Sequence, residues 1–293
     1  MRIVFIGAVT FSYSALEHLI SMGADIVGVC TLKASKFNSD HVDLSQISAL
    51  NGIPSLYTDN INSDETKDWI KYKAPDIIFC FGWSKLLKRR ILELAPLGVI
   101  GFHPAALPAN RGRHPLIWAL VLGLEKTAST FFFMNHRADG GDILSQCDIQ
   151  ISDEDDASSL YNKMTQIALG QIEEFVPKIA SNKYLRQNQD KSLASSWRKR
   201  NIADGMIDWR MSARSIHNLV RGLTRPYVGA SLLDGGQEVK VWKTQLVFDV
   251  PVNIEPGKIL KFEYGKPIIK CGEDAICLLV TEPLFKPKVG SYL

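Results

Sequence analysis

Two side chains in the middle of the chain have the types that acyl transfer needs. His103 follows the apolar run 99–102 directly and precedes Pro104, and Asp139 begins an Asp-Gly-Gly-Asp turn at 139–142. An imidazole that titrates near neutral pH can take a proton from an attacking amine, and a nearby carboxylate can orient it or hold it charged. This pair indicates base-assisted acyl transfer. The alternatives are a hydrogen-bonded loop histidine and an aspartate that only forms a turn.

Short apolar segments alternate with helical patterns over the first 180 residues. The spacing predicts strands at 3–7, 25–30, 76–81, 98–102 and 129–134, and helices at 11–21, 115–122 and 152–180. Such alternation is typical of an α/β fold, here a Rossmann-like, mostly parallel sheet with helices on both faces. Because ligands collect at the carboxyl ends of such strands, His103 and Asp139 are expected to lie there.

The rest of the chain has a different pattern. Residues 181–205 are polar and basic, which predicts a connector between domains. A helix is expected at 211–221, and the short alternating segments after it, punctuated by glycines, predict a small C-terminal β-barrel of the OB type. The expected organisation is a catalytic domain at 1–180, a basic connector at 181–205 and a barrel domain at 206–293.

Composition and charge exclude several classes of protein. The 293 residues are 46% hydrophobic and 22% charged, which is typical of a soluble globular protein. A formal net charge of +3 is too small for a nucleic-acid groove. Five irregularly spaced cysteines indicate reduced thiols and no metal site. No signal peptide or membrane span is predicted, so a cytoplasmic location is expected; a homodimer is one open possibility.

The segment from 98 to 144 resembles the signature of the folate-dependent formyltransferase family. That family includes methionyl-tRNA formyltransferase, glycinamide ribonucleotide formyltransferase and the nucleotide-sugar N-formyltransferases, and the chain is most similar in kind to the last group. The resemblance extends over nearly the whole chain and is weakest across 33–60. The matching residues are His103, Leu107, Pro108, Arg111, Gly112, Pro115, Trp118, Ala119, Gly123, Glu125, Thr127, Met134 and the run 139–144.

This resemblance implies a catalytic set of three positions. His103 would take the proton of the attacking amine, and Asp139 would position and charge it. The family has an asparagine two residues before the histidine, which donates a hydrogen bond to the developing oxyanion, but this chain has Gly101 there. Three explanations are open: a donor from elsewhere such as Asn110, stabilisation by protonated His103 or water, or loss of the transfer reaction.

The resemblance also implies binding residues. The formyl donor would be 10-formyltetrahydrofolate as co-substrate, without a metal, and its expected contacts are Phe81, Gly82, Trp83, Leu86 and Ala138. The residues expected to bind the acceptor are Gly7, Thr10, Ser12, Arg111 and His114. Alternatively, the aromatic residues Phe81 and Trp83 are core residues, and the turn after Gly7 only connects a strand to a helix.

The resulting expectation is an N-formyltransferase that acts on the amine of a nucleotide-linked amino sugar. One alternative is a methionyl-tRNA formyltransferase, although the small net charge argues against a nucleic-acid partner. Because Gly101 replaces the family asparagine, a non-catalytic protein that binds folate or sugar and a hydrolase of formyl-folate are further alternatives.

Overall fold

The computed structural model describes residues 1–35 and 39–293. A seven-stranded sheet forms the first half of the fold, in the spatial order β3-β2-β1-β4-β5-β7-β8. Its strands are β1 (Arg2–Ile6), β2 (Asp25–Thr31), β3 (Ser55–Tyr57), β4 (Ile77–Cys80), β5 (Val99–His103), β7 (Lys126–Phe133) and β8 (Ile143–Gln150). The short β6 (Arg111–Gly112) pairs in parallel with β9 (Ser196–Trp197).

Six helices accompany these strands along the chain. They are α1 (Thr10–Ser21), α2 (Ser45–Leu50), α3 (Asp64–Lys73), α4 (Arg89–Leu92), α5 (Pro115–Val121) and α6 (Ala157–Ala180). The pairs from β3 through β5 are parallel, and β7 runs antiparallel to β5. The predicted α/β fold class, a mostly parallel sheet with helices, is therefore confirmed.

Aromatic packing forms much of the core beside this sheet. Phe81 lies 5.5 Å from Phe5, 5.3 Å from Phe79 and 5.1 Å from Phe131, measured between ring centroids. All four rings are fully buried. Because both faces of a parallel sheet are covered in such folds, the strands are continuous apolar runs, and this is why the sequence located them.

The C-terminal part contains α7 (Ala213–Leu223) and a five-stranded antiparallel sheet in the order β10-β11-β14-β13-β12. Its strands are β10 (Ala230–Asp234), β11 (Gln237–Val247), β12 (Ile259–Glu263), β13 (Lys266–Lys270) and β14 (Ala275–Glu282). The short alternating segments of the prediction are replaced in part by one longer strand, since β11 is continuous from Gln237 to Val247.

Contacts divide the chain into two compact units. The first comprises Met1–Pro115, Thr127–Ile149 and Asn162–Trp197, and the second comprises Leu116–Lys126, Gln150–Tyr161 and Arg198–Leu293. The predicted connector 181–205 is therefore divided, because residues up to Trp197 group with the first unit. The predicted domain bounds remain a prediction about independent folding.

Three further findings concern the described residues only. No helix within 1–35 and 39–293 has the length and apolar character needed to cross a membrane. No group of three or more histidine, cysteine or acidic side chains in this part of the chain is arranged to hold a metal ion. All five cysteines are free thiols, and only Cys147 is exposed.

Candidate active site

His103 is the last residue of β5 and is only 5% exposed. Its neighbour in register on β7 is Thr130, whose hydroxyl donates to the carbonyl of Ala105 at 2.7 Å. Gln146 on β8 donates to the carbonyl of Leu107 at 2.8 Å. These hydrogen bonds fix the backbone that follows β5, so His103 is attached to an ordered segment.

A backbone carbonyl determines which nitrogen of the neutral His103 ring carries the proton. Nε2 lies 2.8 Å from the carbonyl oxygen of Asn110, which can only accept a hydrogen bond. Nε2 therefore carries a proton and donates it to this bond. In the neutral imidazole the lone pair is then on Nδ1, which is the atom that can act as a base.

Asp139 faces that nitrogen. It lies in the turn between β7 and β8, in the left-handed region with φ of +52°, a conformation that aspartate tolerates better than most residues. Its Oδ2 accepts from the backbone N–H of Gly112 at 2.9 Å, and its Oδ1 lies 3.9 Å from His103 Nδ1. This distance is too long for a hydrogen bond and close enough for an ion pair with a protonated ring. The structure thus brings the two predicted residues together.

The side chains around Gly101 explain how the strand accommodates a glycine. A Cβ atom built there would lie 2.8 Å from Met134 Cγ, 3.1 Å from Met134 Sδ and 3.0 Å from Phe132 Cζ. These distances are shorter than ordinary van der Waals contacts. The space that a side chain at Gly101 would need is therefore filled by Met134 and Phe132.

Asn110 offers an amide group near the histidine. Its backbone N–H donates to Ser195 Oγ at 2.9 Å, and its side-chain Oδ1 accepts weakly from the same hydroxyl at 3.4 Å. Within the described residues, its Nδ2 has no hydrogen-bond acceptor. The carbonyl of the same residue binds His103, so Asn110 carries both the partner of the imidazole and an unpaired amide donor.

Arg111 is held by a neutral partner. Its Nη2 donates to Gln189 Oε1 at 2.5 Å, whereas its buried Nε has no partner among residues 1–35 and 39–293. Gln189 Nε2 in turn donates to the carbonyls of Asp139 and Gly141, at 2.8 and 2.6 Å. His114 lies three residues further along the same loop, half-buried and with φ of +57°.

Except for Ala138, which lies between β7 and β8, the residues expected to contact the formyl donor follow β4, where the strand order reverses between β1 and β4. Such reversals are the usual ligand crevices of open α/β sheets. Gly82 and Trp83 are half-buried, and the buried Trp83 Nε1 has no acceptor within the described part of the chain. Leu86 is 69% exposed, and Ala138 is exposed next to Asp139.

Phe81 requires a correction. Its ring is fully buried among other phenylalanines. Its N–H donates to the Ile6 carbonyl at 2.9 Å, and its carbonyl accepts from Ser12 Oγ at 2.6 Å. With its ring buried and both backbone groups hydrogen-bonded, Phe81 is a core residue, as in the alternative role that the sequence left open.

The turn after β1 requires a similar correction. Ser12 is fully buried, and its hydroxyl accepts from the N–H groups of Ala8 and Val9, both at 3.2 Å. The N–H of Thr10 donates to the Asp40 carbonyl at 2.9 Å, while the Thr10 side chain is exposed. Gly7 is buried and packed against Ser12. Because these donors are already engaged, Gly7 and Ser12 stabilise the turn, and only Thr10 retains an accessible surface.

Sequence reasoning missed the segment 187–197, which contacts both the turn that contains Asp139 and the loop that contains Arg111. Gln189 binds the Asp139 turn, and the carbonyl of Ser195 accepts from the N–H of Arg111 at 3.0 Å. Polar residues in an irregular segment carry no periodic signal, so nothing in the pattern distinguished them from a solvated connector.

Sequence comparisons identify the family to which the chain is similar. A profile described as Formyl transferase matches residues 1–172, and one described as Formyl transferase, C-terminal domain, matches residues 201–290. The chain is 32% identical over 282 residues to the bifunctional polymyxin resistance protein ArnA of Wigglesworthia glossinidia brevipalpis. The match covers 95% of this chain but only 42% of that protein, so the chain spans less than half the length of this relative.

Two solved structures have the same fold. One is the N-formyltransferase from Helicobacter canadensis in complex with folinic acid and dTDP-3-aminofucose, with a TM-score of 0.72, 17% identity and coverage of 95% of this chain and 98% of that one. The other is methionyl-tRNA formyltransferase from Clostridium thermocellum, with a TM-score of 0.63, 16% identity and coverage of 84% and 93%. At these identities the likeness concerns the fold.

Proposed function

Because the chain belongs to the formyltransferase family, we propose that it transfers the formyl group of 10-formyltetrahydrofolate to the amine of a nucleotide-linked amino sugar. The observation that carries this proposal is the pairing of His103 Nδ1 with Asp139 Oδ1 at 3.9 Å, with the proton on Nε2 assigned by the Asn110 carbonyl. This arrangement presents a free base and a carboxylate together.

His103 acts as the general base in this proposal. Its Nδ1 takes the proton that the acceptor amine releases when the amine bonds to the formyl carbon. Asp139 stabilises the imidazolium that results, since a carboxylate at this distance interacts favourably with the positive ring. The Gly112 N–H holds the other carboxylate oxygen at 2.9 Å, which keeps the aspartate directed at the ring.

Asn110 supplies the oxyanion donor in place of the family asparagine. Its Nδ2 has no acceptor within the described residues, and its backbone carbonyl is fixed on His103 at 2.8 Å. A preorganised amide donor is worth about 10²- to 10³-fold in turnover in comparable sites. The proposal thus explains how a chain with Gly101 retains the reaction.

The formyl donor is the co-substrate and supplies an activated one-carbon unit. Its flat heterocycle fits the crevice after β4, where Trp83 Nε1 is a buried donor that lacks a partner in the described chain. Gly82, Leu86 and Ala138 complete this proposed surface. The Helicobacter canadensis neighbour, which was solved with folinic acid, supports a folate at this fold.

The acceptor binds beside Arg111 and His114. The Arg111 guanidinium has no carboxylate within 4 Å among the described residues, so its charge is available to an anionic group of a nucleotide. Thr10 is a further contact. The neighbour bound to dTDP-3-aminofucose supports a nucleotide sugar, and a net charge of +3 argues against a tRNA.

The test is an incubation of the protein with 10-formyltetrahydrofolate and a panel of nucleotide 3-amino and 4-amino sugars. The expected result is a mass gain of one formyl group on one class of sugar. If the protein formylates methionyl-tRNA and none of the sugars, the acceptor is the tRNA and the proposed sugar acceptor is wrong. Release of formate without an acceptor would indicate a hydrolase, and folate binding without any turnover would indicate a binding protein.

A further inference from the structure

The segment 187–197 is anchored at both ends by backbone hydrogen bonds. At its start, Gln187 and Ile143 exchange N–H to carbonyl bonds of 2.8 and 2.9 Å. At its end, β9 pairs with β6, so Ser196 lies opposite Arg111. Asp190 stabilises the turn between them, because its carboxylate accepts from both the N–H and the hydroxyl of Ser192, which also lowers the pKa of Asp190. Gln189 therefore lies on a defined backbone.

The side chain of Gln189 uses both ends of its amide. Nε2 donates to the carbonyls of Asp139 and Gly141, at 2.8 and 2.6 Å, and Oε1 accepts from Arg111 Nη2 at 2.5 Å. Only a side-chain amide supplies two donors and an acceptor in this geometry. One residue thus joins the aspartate turn to the loop that carries Arg111.

The two carbonyls bound by Gln189 flank Gly140. Asp139 has φ of +52°, in the left-handed region that non-glycine residues adopt uncommonly. Rotation of the backbone here would carry the carboxylate away from His103 Nδ1 and from the Gly112 N–H. We infer that Gln189 is a positioning residue for formyl transfer, which fixes the Asp139 carboxylate against His103 and orients Arg111 with a neutral partner.

The Gln189 amide is neutral, so it leaves the positive charge of Arg111 uncompensated. A glutamate at 189 would accept from Arg111 as an ion pair but could not donate to either carbonyl. It would place a second negative charge near Asp139 and neutralise the guanidinium. Gln189→Glu and Gln189→Ala should therefore both impair the chemical step, and Gln189→Glu should weaken acceptor binding more, because only it neutralises Arg111.

The first experiment measures transfer kinetics and rests on the proposed function. Gln189→Ala is expected to lower kcat by about 10- to 100-fold, the scale of a misplaced catalytic group, with the KM for 10-formyltetrahydrofolate unchanged. Gln187→Ala is the matched control, because the exposed Gln187 engages the same segment through its backbone alone. Gln189→Ala should add no further loss to Asp139→Asn. Additive losses in this double-mutant cycle would overturn the inference.

The second experiment is independent of any activity. The Gly112 N–H donates to Asp139 Oδ2, so its hydrogen-exchange protection, followed by NMR, reports where the carboxylate lies. Protection should fall in Gln189→Ala and Gln189→Glu and stay unchanged in Gln187→Ala. Unchanged protection in both Gln189 variants would refute the positioning role even if the chain transferred no formyl group. If the alanine variant does not fold, the exchange protection of the Gly112 N–H in the glutamate variant, which preserves side-chain volume, tests the positioning role.

Discussion

Asn110 provides the most direct test of how this site stabilises an oxyanion without the family asparagine. Two variants remove its amide donor and preserve the left-handed backbone, which has φ of +61°. Asn110→Gly truncates the side chain, and Asn110→Asp keeps its shape while replacing the donor with an acceptor. Both keep the backbone carbonyl that holds His103. We expect kcat to fall by about 10²- to 10³-fold, and the aspartate variant to be at least as slow.

The complementary perturbation restores an amide at Gly101. A Cβ at this position would lie 2.8 Å from Met134 Cγ and 3.0 Å from Phe132 Cζ, so Gly101→Ala and Gly101→Asn should each destabilise by about 1–3 kcal/mol through overpacking. This corresponds to a decrease in Tm of about 2–12 °C. Because Met134 contributes two of the three close contacts, Met134→Ala should reduce this cost in a combined variant.

The assay is steady-state formyl transfer alongside thermal unfolding. Gly101→Asn with Met134→Ala should restore part of the rate lost in Asn110→Gly, whereas Gly101→Ala with Met134→Ala, which adds a Cβ without an amide, should restore none. A wild-type kcat in Asn110→Gly would refute the assignment of the donor. An unchanged Tm in Gly101→Ala would refute the packing argument.

The remaining predictions concern the catalytic pair, pH and the thiols. His103→Asn and Asp139→Ala should each lower kcat by about 10²-fold or more with folding retained, and wild-type rates would contradict general-base catalysis. Burial, followed by the charge of Arg221, lowers the pKa of His217 from its ordinary 6.5. The unfolded chain therefore binds the proton more readily than the folded protein. The free energy of unfolding should fall as pH decreases below about 6.5. In His217→Gln, Tm should depend less on pH between about pH 5 and pH 8, and an equal dependence would contradict this. A thiol reagent should label Cys147 rapidly in the native protein and the four buried cysteines only after denaturation, since burial also raises the pKa values of these four thiols. Rapid labelling of several cysteines in the native protein would contradict this prediction.

The proposed catalytic pair could be identified because its signals are local and chemical. His103 ends a buried parallel strand, where an α/β sheet binds ligands, whereas Asp139 follows the antiparallel strand β7 and was proposed from its residue type, its glycine-flanked turn and the family resemblance. The strands of the parallel sheet were predictable for a related reason, since burial on both faces leaves continuous apolar runs. Short or partly exposed strands such as β8 and β10 lack that signal and were not predicted.

The hydrogen bonds of the turn after β1 could not be predicted from its sequence pattern. A glycine turn before a helix has the same sequence pattern whether its N–H groups are free or already paired. Here Ser12 Oγ accepts from Ala8 and Val9, and the Asp40 carbonyl accepts from Thr10. Asp40 is distant in sequence, so no local pattern could have revealed that these donors are satisfied.

Among the described residues, neutral groups make all the hydrogen bonds to His103 and Asp139, the proposed catalytic pair. The Asn110 carbonyl accepts from His103, the Gly112 N–H donates to the Asp139 carboxylate, and the Gln189 amide holds the turn. None of them compensates the negative charge of the aspartate, so this charge remains available to the imidazolium that forms during transfer. Had an arginine or lysine paired with Asp139 instead, proton uptake by His103 would gain less stabilisation. The polar but uncharged contacts therefore suit a carboxylate that acts when its neighbour becomes positive.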